Sequence, residues 1–179
     1  MVTPSSLRQL VRAHVEGRIP VDERERASID EFLERYDALE SPFDEQADPV
    51  HVTASAIVRG ARGVVLHLHK RLGLWLQPGG HIDAGETPWD AALREAVEET
   101  GLPVSFPAGG GLQPLAHVDV HDGPRGHRHL DLRYLVEAEP VDPSPGPDES
   151  QDVRWFDWDD AIEVADAGLA GVLRALRPR

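Results

Sequence analysis

Residues 80–102 read GHIDAGETPWDAALREAVEETGL, and the rest of the chain is organised around them. Gly80 is followed after five residues by Glu86, after seven more by Arg94 and Glu95, then by Glu98, Glu99, Gly101 and Leu102. The pattern predicts a tight turn, a loop and an amphipathic helix over about Pro88 to Thr100. Thr87 can cap that helix, Pro88 suits its first position, and Gly101 supplies a left-handed stop. At roughly 100° per residue, Glu95, Glu98 and Glu99 fall within one narrow face, and Ala92, Leu93, Ala96 and Val97 cover the other side. Carboxylates at i, i+3 and i+4 repel one another by a few tenths of a kcal/mol per exposed pair. They form either a solvated acidic face or a site for a hard divalent cation, since Mg²⁺ and Mn²⁺ take oxygen ligands between carboxylates and substrate phosphates.

The stretch matches every specified position of the Nudix box, G-x5-E-x7-R-E-U-x-E-E-x-G-U with U apolar, Ala96 and Leu102 being the two apolar residues. The chain therefore resembles a Nudix hydrolase. The resemblance implies an α+β fold, an α/β/α sandwich around a mixed sheet. It also implies a loop–helix–loop metal site that cleaves a diphosphate linked to another moiety. Mg²⁺, with Mn²⁺ as a substitute, would then be held by Glu95, Glu98 and Glu99, with the Gly79 carbonyl nearby and Gln77 on the substrate side. Arg94 reads as an orienting partner for Glu86 or Glu98. Glu149 resembles the family's loop glutamate that serves as general base, with Asp148, Asp152 and Glu98 as rivals.

Length and composition bound the alternatives. The 179 residues suffice for one domain with an appendage, and they contain no cysteine, so disulfides, thiolate metal sites and a cysteine nucleophile are excluded. A net charge of −14 repels duplex nucleic acid but not a small phosphorylated substrate held by a cation. No apolar run is long enough to span a membrane, and the N-terminus lacks a signal-peptide pattern, so a cytoplasmic enzyme is expected.

Residues 1–48 read as an N-terminal helical extension and 49–179 as the hydrolase domain. Ser6 and Gln9 suggest a capping box on a first helix ending before Gly17, on which His14 reads as a packed histidine. A second helix is expected from about Asp22 to Leu39. The pair is either a packing or dimer-forming appendage, leaving a homodimer open, or a lid over the active site. His51–Arg59 and Val64–His69 alternate like a hairpin. Arg59, Lys70, Arg71, Arg125 and Arg128 are candidates for phosphate contact. Residues 103–113 are expected to be a Pro/Gly loop.

Leu115–His121 and His127–Glu137 read as a second hairpin. Closing it on Asp122–Gly126 sets His121 opposite His127, Asp119 opposite His129 and His117 opposite Asp131, all on one face. Such a face is not expected to be core. It can be solvated sheet, a wall of the substrate cleft in which His127 and His129 touch substrate, or an extra metal site. Four prolines over 140–148 demand a loop, Val153–Phe156 reads as a strand, and a terminal helix from Trp158 is expected to break near Gly168. Subgroup signals are mostly missing. The isopentenyl diphosphate isomerase branch needs a cysteine, and His117 stands where ADP-ribose enzymes carry proline. A nucleoside triphosphate or a nucleoside diphosphate derivative remains as substrate. The competing class is a catalytically silent Nudix-fold module that senses a nucleotide.

Overall fold

The structure, a computed structural model, describes residues 4–108 and 114–178. The glycine run at 109–111 lies outside them. Two helices, α1 (Pro4–Glu16) and α2 (Glu23–Ala38), precede β1 (Val50–Gly60), β2 (Gly63–Leu68), β3 (Trp75–Leu76) and β4 (Gly79–His81). The box helix α3 (Pro88–Thr100) follows, then β5 (Val104–Ser105), β6 (Leu115–Asp122), β7 (Arg128–Ala138), β8 (Val153–Phe156), α4 (Trp158–Val164) and α5 (Ala167–Leu176). The fold is α+β, with helices on both faces of a mixed sheet and an N-terminal helical part.

The sheet is built on one long parallel pair. β1 and β7 run together from Val50↔Arg128 to Arg59↔Glu137. The other pairings are antiparallel: β2 and β4 join β1, β3 and β8 join β2, and β5 and β6 join β7. Val52, Ala54, Ala56 and Val58 bury one face with Leu130, Leu132, Tyr134 and Val136 against Ala91, Ala92 and Ala96 of α3. Leu7, Val11, Val15, Ile29, Phe32 and Tyr36 belong to the same core, so the N-terminal helices pack into the domain. On the opposite face Ile57, Val64 and Leu66 meet Leu169, Val172 and Leu173 of α5.

The second helix also closes the sheet at β6. The Glu25 carboxylate accepts from the Val118 amide at 3.0 Å, and Ser28 Oγ accepts from the Val120 amide at 3.2 Å. Glu25 is fully buried, takes the Val21 amide at 2.6 Å and pairs with Arg18 at 2.8 Å. Glu25→Ala should therefore cost about 3 kcal/mol, as expected for breaking a buried, hydrogen-bonded ion pair. Chemical denaturation measures it; a cost under about 0.5 kcal/mol, typical of a surface change, would show that these bonds do not hold the helix down.

Several local expectations are corrected. Ser6 lies inside α1, which begins at Pro4, so it is not the cap. Val97 is 46 % exposed, and the buried side of α3 is Ala91, Ala92, Ala96 and Thr100. The terminal break near Gly168 is found as expected, at Ala165 and Asp166, where Asp166 accepts the Leu169 amide and starts a new helix. The β6–β7 register is shifted by two: Asp122 pairs with Arg128, His121 with His129, Asp119 with Asp131 and His117 with Arg133. The cause is a longer strand and a 3₁₀ turn at Pro124–Gly126, with Arg125 at φ 60°. A shift of two keeps every side chain on its expected face.

That face is not simply solvated. His117, Asp119 and Asp131 are buried, and so is Arg133, whose guanidinium donates to Asp119 at 2.9 Å and to Asp131 at 3.1 Å. Thr53 and Ser55 hydroxyls complete Asp131 at 3.1 and 2.8 Å. The polar strip is buried because Arg133 supplies the charge that two carboxylates need.

Candidate active site

α3 forms where the pattern places it, with Thr87 accepting the Asp90 amide and Gly101 in the left-handed conformation at φ 67°. Its acidic face meets β4. The Gly79 amide donates to Glu99 Oε2 at 2.8 Å, and a methyl group at Gly80 would collide with the Glu95 carboxylate. Gly80 thus leaves room for that carboxylate where it now stands. Arg94 braces the loop: it grips Glu86 through two bonds of 2.9 and 3.0 Å, and donates to Glu95 at 2.7 Å, Glu98 at 3.2 Å and the His81 carbonyl at 2.9 Å. The paired guanidinium holds Glu86 below its usual pKa and is itself raised.

The proline-bearing loop closes the site from the other side. Ser144 and Gly146 amides donate to the Thr100 and Glu98 carbonyls at 2.8 and 3.3 Å, satisfying the last turn of α3. Beyond Glu149, Ser150 donates to the Leu68 carbonyl at 2.7 Å, and before it the Asp148 carbonyl accepts from Lys70 at 2.6 Å. Glu149 is therefore pinned on both flanks beside the box helix. Its charge acts on both Glu95 and Glu99.

The electrostatics of this group are strained. Glu99 is pushed up to about 8, first by burial and then by Glu95, Glu149 and Glu98, against the stabilising Gly79 amide. Burial also raises Glu95, opposed by Arg94. His67 stands 3.6 Å from Glu99 and, lowered to about 4 by burial, stays neutral and offers no counter-charge. Carboxylate oxygens crowded in a half-dry site are a fitting donor set for a hard dication.

The NUDIX domain family model matches residues 49–176. The chain belongs to the Nudix family. It is 29 % identical over 133 residues to the phosphatase NudJ of Escherichia coli K12, covering 71 % of this chain and 81 % of that one. A Nudix-family hydrolase from Clostridium perfringens superposes with a TM-score of 0.59 at 28 % identity, over 71 % of this chain and 98 % of the other. A MutT Nudix hydrolase from Burkholderia pseudomallei gives 0.57 at 26 % identity, over 72 % and 98 %. By its family this chain is a Nudix hydrolase. No helix among its described residues is long and apolar enough to cross a membrane.

Of the residues expected from the sequence, Gly79, Arg94, Glu95, Glu98, Glu99 and Glu149 lie together around the box helix. Gln77 lies alongside, its Nε2 3.3 Å from Ser55 Oγ and its Oε1 buried without a partner among the described residues. Arg59 is elsewhere: it pairs with Glu137 at 2.7 Å and lines an open depression of about 480 Å³ that no box carboxylate borders. Arg128 is engaged by Glu31 and Asp122. His127 and His129 join His51 and His81 in a group of imidazoles. His67, His51 and Arg133 escaped the sequence reading; only Arg133 left a signal, the period of two continuing from Asp131.

A pH dependence follows for the metal-free Nudix chain. The folded value of Glu99, about 8, lies above its ordinary 4.5. Its contribution is most favourable below the ordinary value and is lost as pH rises through the folded one. With chelator present, stability in denaturant should decline across that interval, and Glu99→Gln should flatten the decline. A wild-type curve parallel to the variant's would show that Glu99 carries no strain.

Proposed function

We propose that the protein is a metal-dependent pyrophosphohydrolase that cleaves the diphosphate linkage of a nucleoside triphosphate or a nucleoside diphosphate derivative. The observation that carries this reading is the convergence of Glu95, Glu98, Glu99 and Glu149, three from the box helix and one from the pinned loop, with Glu99 raised by burial and by the other three. Glu95, Glu98, Glu99 and the Gly79 carbonyl would hold Mg²⁺, with Mn²⁺ as a substitute. When bound, the ion neutralises phosphate charge and lowers the pKa of water.

The remaining steps belong to the chain's own residues. Glu149 takes the proton from the attacking water through a carboxylate oxygen. Arg94 acts through others, fixing the rotamers of Glu86, Glu95 and Glu98 so that the acidic face is preorganised. Gln77, with its unpartnered Oε1, lies on the substrate side and can accept from a base or sugar hydroxyl.

The test is a screen of phosphate release, coupled to inorganic pyrophosphatase, over nucleoside triphosphates, sugar nucleotides and dinucleotides with Mg²⁺ and with Mn²⁺. Metal-dependent release from any class supports the proposal and names the substrate. Binding without release throughout would favour the silent sensing module instead.

A further inference from the structure

Four histidines meet at the end of the sheet where β1 and β7 begin. His51 opens β1 and lies opposite His129 in the parallel register, while His81 closes β4 opposite Thr53 of β1. His127 caps the 3₁₀ turn just before β7. The ring of His51 is 5.1 Å from those of His81 and His129 and 5.0 Å from that of His127. One nitrogen from each ring lies within 4.8 Å of the other three.

Two of the rings have their tautomers set from behind. His51 Nδ1 is 3.1 Å from the Asp48 carbonyl, which can only accept, so the proton sits on Nδ1 and Nε2 carries the lone pair. His81 Nδ1 is 3.1 Å from Glu45 Oε2, with the same consequence. Both Nε2 atoms are buried and have no hydrogen-bond partner among the described residues, and His129 Nε2 is also unpartnered. Buried polar atoms are rarely left so. An imidazole held on one nitrogen by a carbonyl or carboxylate, with the other nitrogen bare, is the usual arrangement of a metal ligand and its outer partner.

We propose that His51, His81, His127 and His129 bind one borderline transition-metal dication, of the zinc class, at a site separate from the carboxylates of the box helix. Nitrogen donors select zinc over magnesium, which takes oxygen. A tetrahedral zinc with Zn–N of about 2.0–2.1 Å needs its donors roughly 3.4 Å apart. The four donors, now within 4.8 Å of one another, must draw in towards that distance when the ion binds. The ion would tie together β1, β4 and β7. Because β4 also carries Gly79, whose amide holds Glu99, it would brace the glycine strand from the side away from α3.

The test uses tag-free full-length protein stripped with chelator, then dialysed against zinc chloride and analysed by elemental analysis and calorimetry. One zinc per chain is expected, with a raised melting temperature, and cobalt chloride should give the strong visible bands of a tetrahedral nitrogen site. His127→Ala and His129→Gln should lose the stoichiometric zinc, and Glu45→Gln should weaken it by about tenfold as an outer partner. His127 is only half-buried, so its variant should fold as the stripped wild type does, by circular dichroism. Glu98→Gln should keep its zinc. Overturning results are absence of stoichiometric zinc in the wild type, zinc retained by both histidine variants, or zinc lost in Glu98→Gln but not in His127→Ala. A changed KM in His127→Ala with no zinc anywhere would instead make the cluster a substrate wall. None of these readouts requires turnover, so failure here is distinguishable from failure of the hydrolase proposal.

Discussion

Glu99→Gln is expected to leave the fold intact and to remove all but a trace of turnover. The carboxylate is only 14 % exposed and is held by the Gly79 amide, yet three other carboxylates press on it. Glutamine keeps the size and an oxygen to accept that amide, but it cannot offer a negative charge to a cation. Metal-free stability should therefore rise while divalent binding and catalysis fall. Glu98→Gln should lose turnover similarly without the gain in stability, because its side chain is 53 % exposed. Steady-state kinetics over a range of Mg²⁺ concentrations checks both. A variant keeping more than about a tenth of wild-type activity, a barrier change of only ~1.4 kcal/mol, would remove that glutamate from the ligand set.

Glu149→Gln should lower kcat by roughly 10²–10⁴, the range that general base catalysis supplies, with little change in substrate or metal affinity. The loop that holds Glu149 is anchored to the carbonyls of α3 by backbone bonds and to β2 by the Ser150 hydroxyl and the Asp152 carbonyl, none of which the substitution touches. The effect should therefore be chemical rather than structural. Asp148→Asn and Asp152→Asn should do much less: Asp148 engages Lys70 and Asp152 engages Leu68 through their carbonyls, which remain. A larger defect in Asp152→Asn than in Glu149→Gln would move the base to residue 152. Wild-type rates in all three would place it on the box helix, at Glu98.

The box helix and its acidic face were legible in the sequence because they are local. Thr87, Pro88 and Gly101 delimit α3 through bonds made within a few residues, and Glu95, Glu98 and Glu99 share a face because helical geometry requires it. Of the imidazole group only His127 and His129 were legible, as candidates for substrate contact or an extra metal site; His51 and His81 were not. His51 and His129 become neighbours only through the parallel pairing of β1 with β7, strands separated by the whole box, and no local pattern reports such a register. The β6–β7 hairpin shows the intermediate case. Alternation placed its faces correctly, but the pairing depended on where the turn closes, and Arg125 adopts a positive φ that its residue type does not announce. The burial of Asp119 and Asp131 was missed for a related reason. A carboxylate looks solvated until its counter-charge is found, and Arg133 lies beyond the six residues first grouped together.

The bonds from Glu25 and Ser28 to the β6 backbone have a consequence for what may be removed from this chain. An unpaired strand edge is a template for another strand. Cutting the chain at residue 48 would keep every box residue and every strand of the sheet, yet it would strip the amides of Val118 and Val120 of their partners. The shortened protein is expected to self-associate, through that edge and through the core face that Leu7, Val11, Phe32 and Tyr36 had covered. The first two helices act in this sense as a built-in guard against self-association, and their contribution would be read in light scattering rather than in catalytic rate.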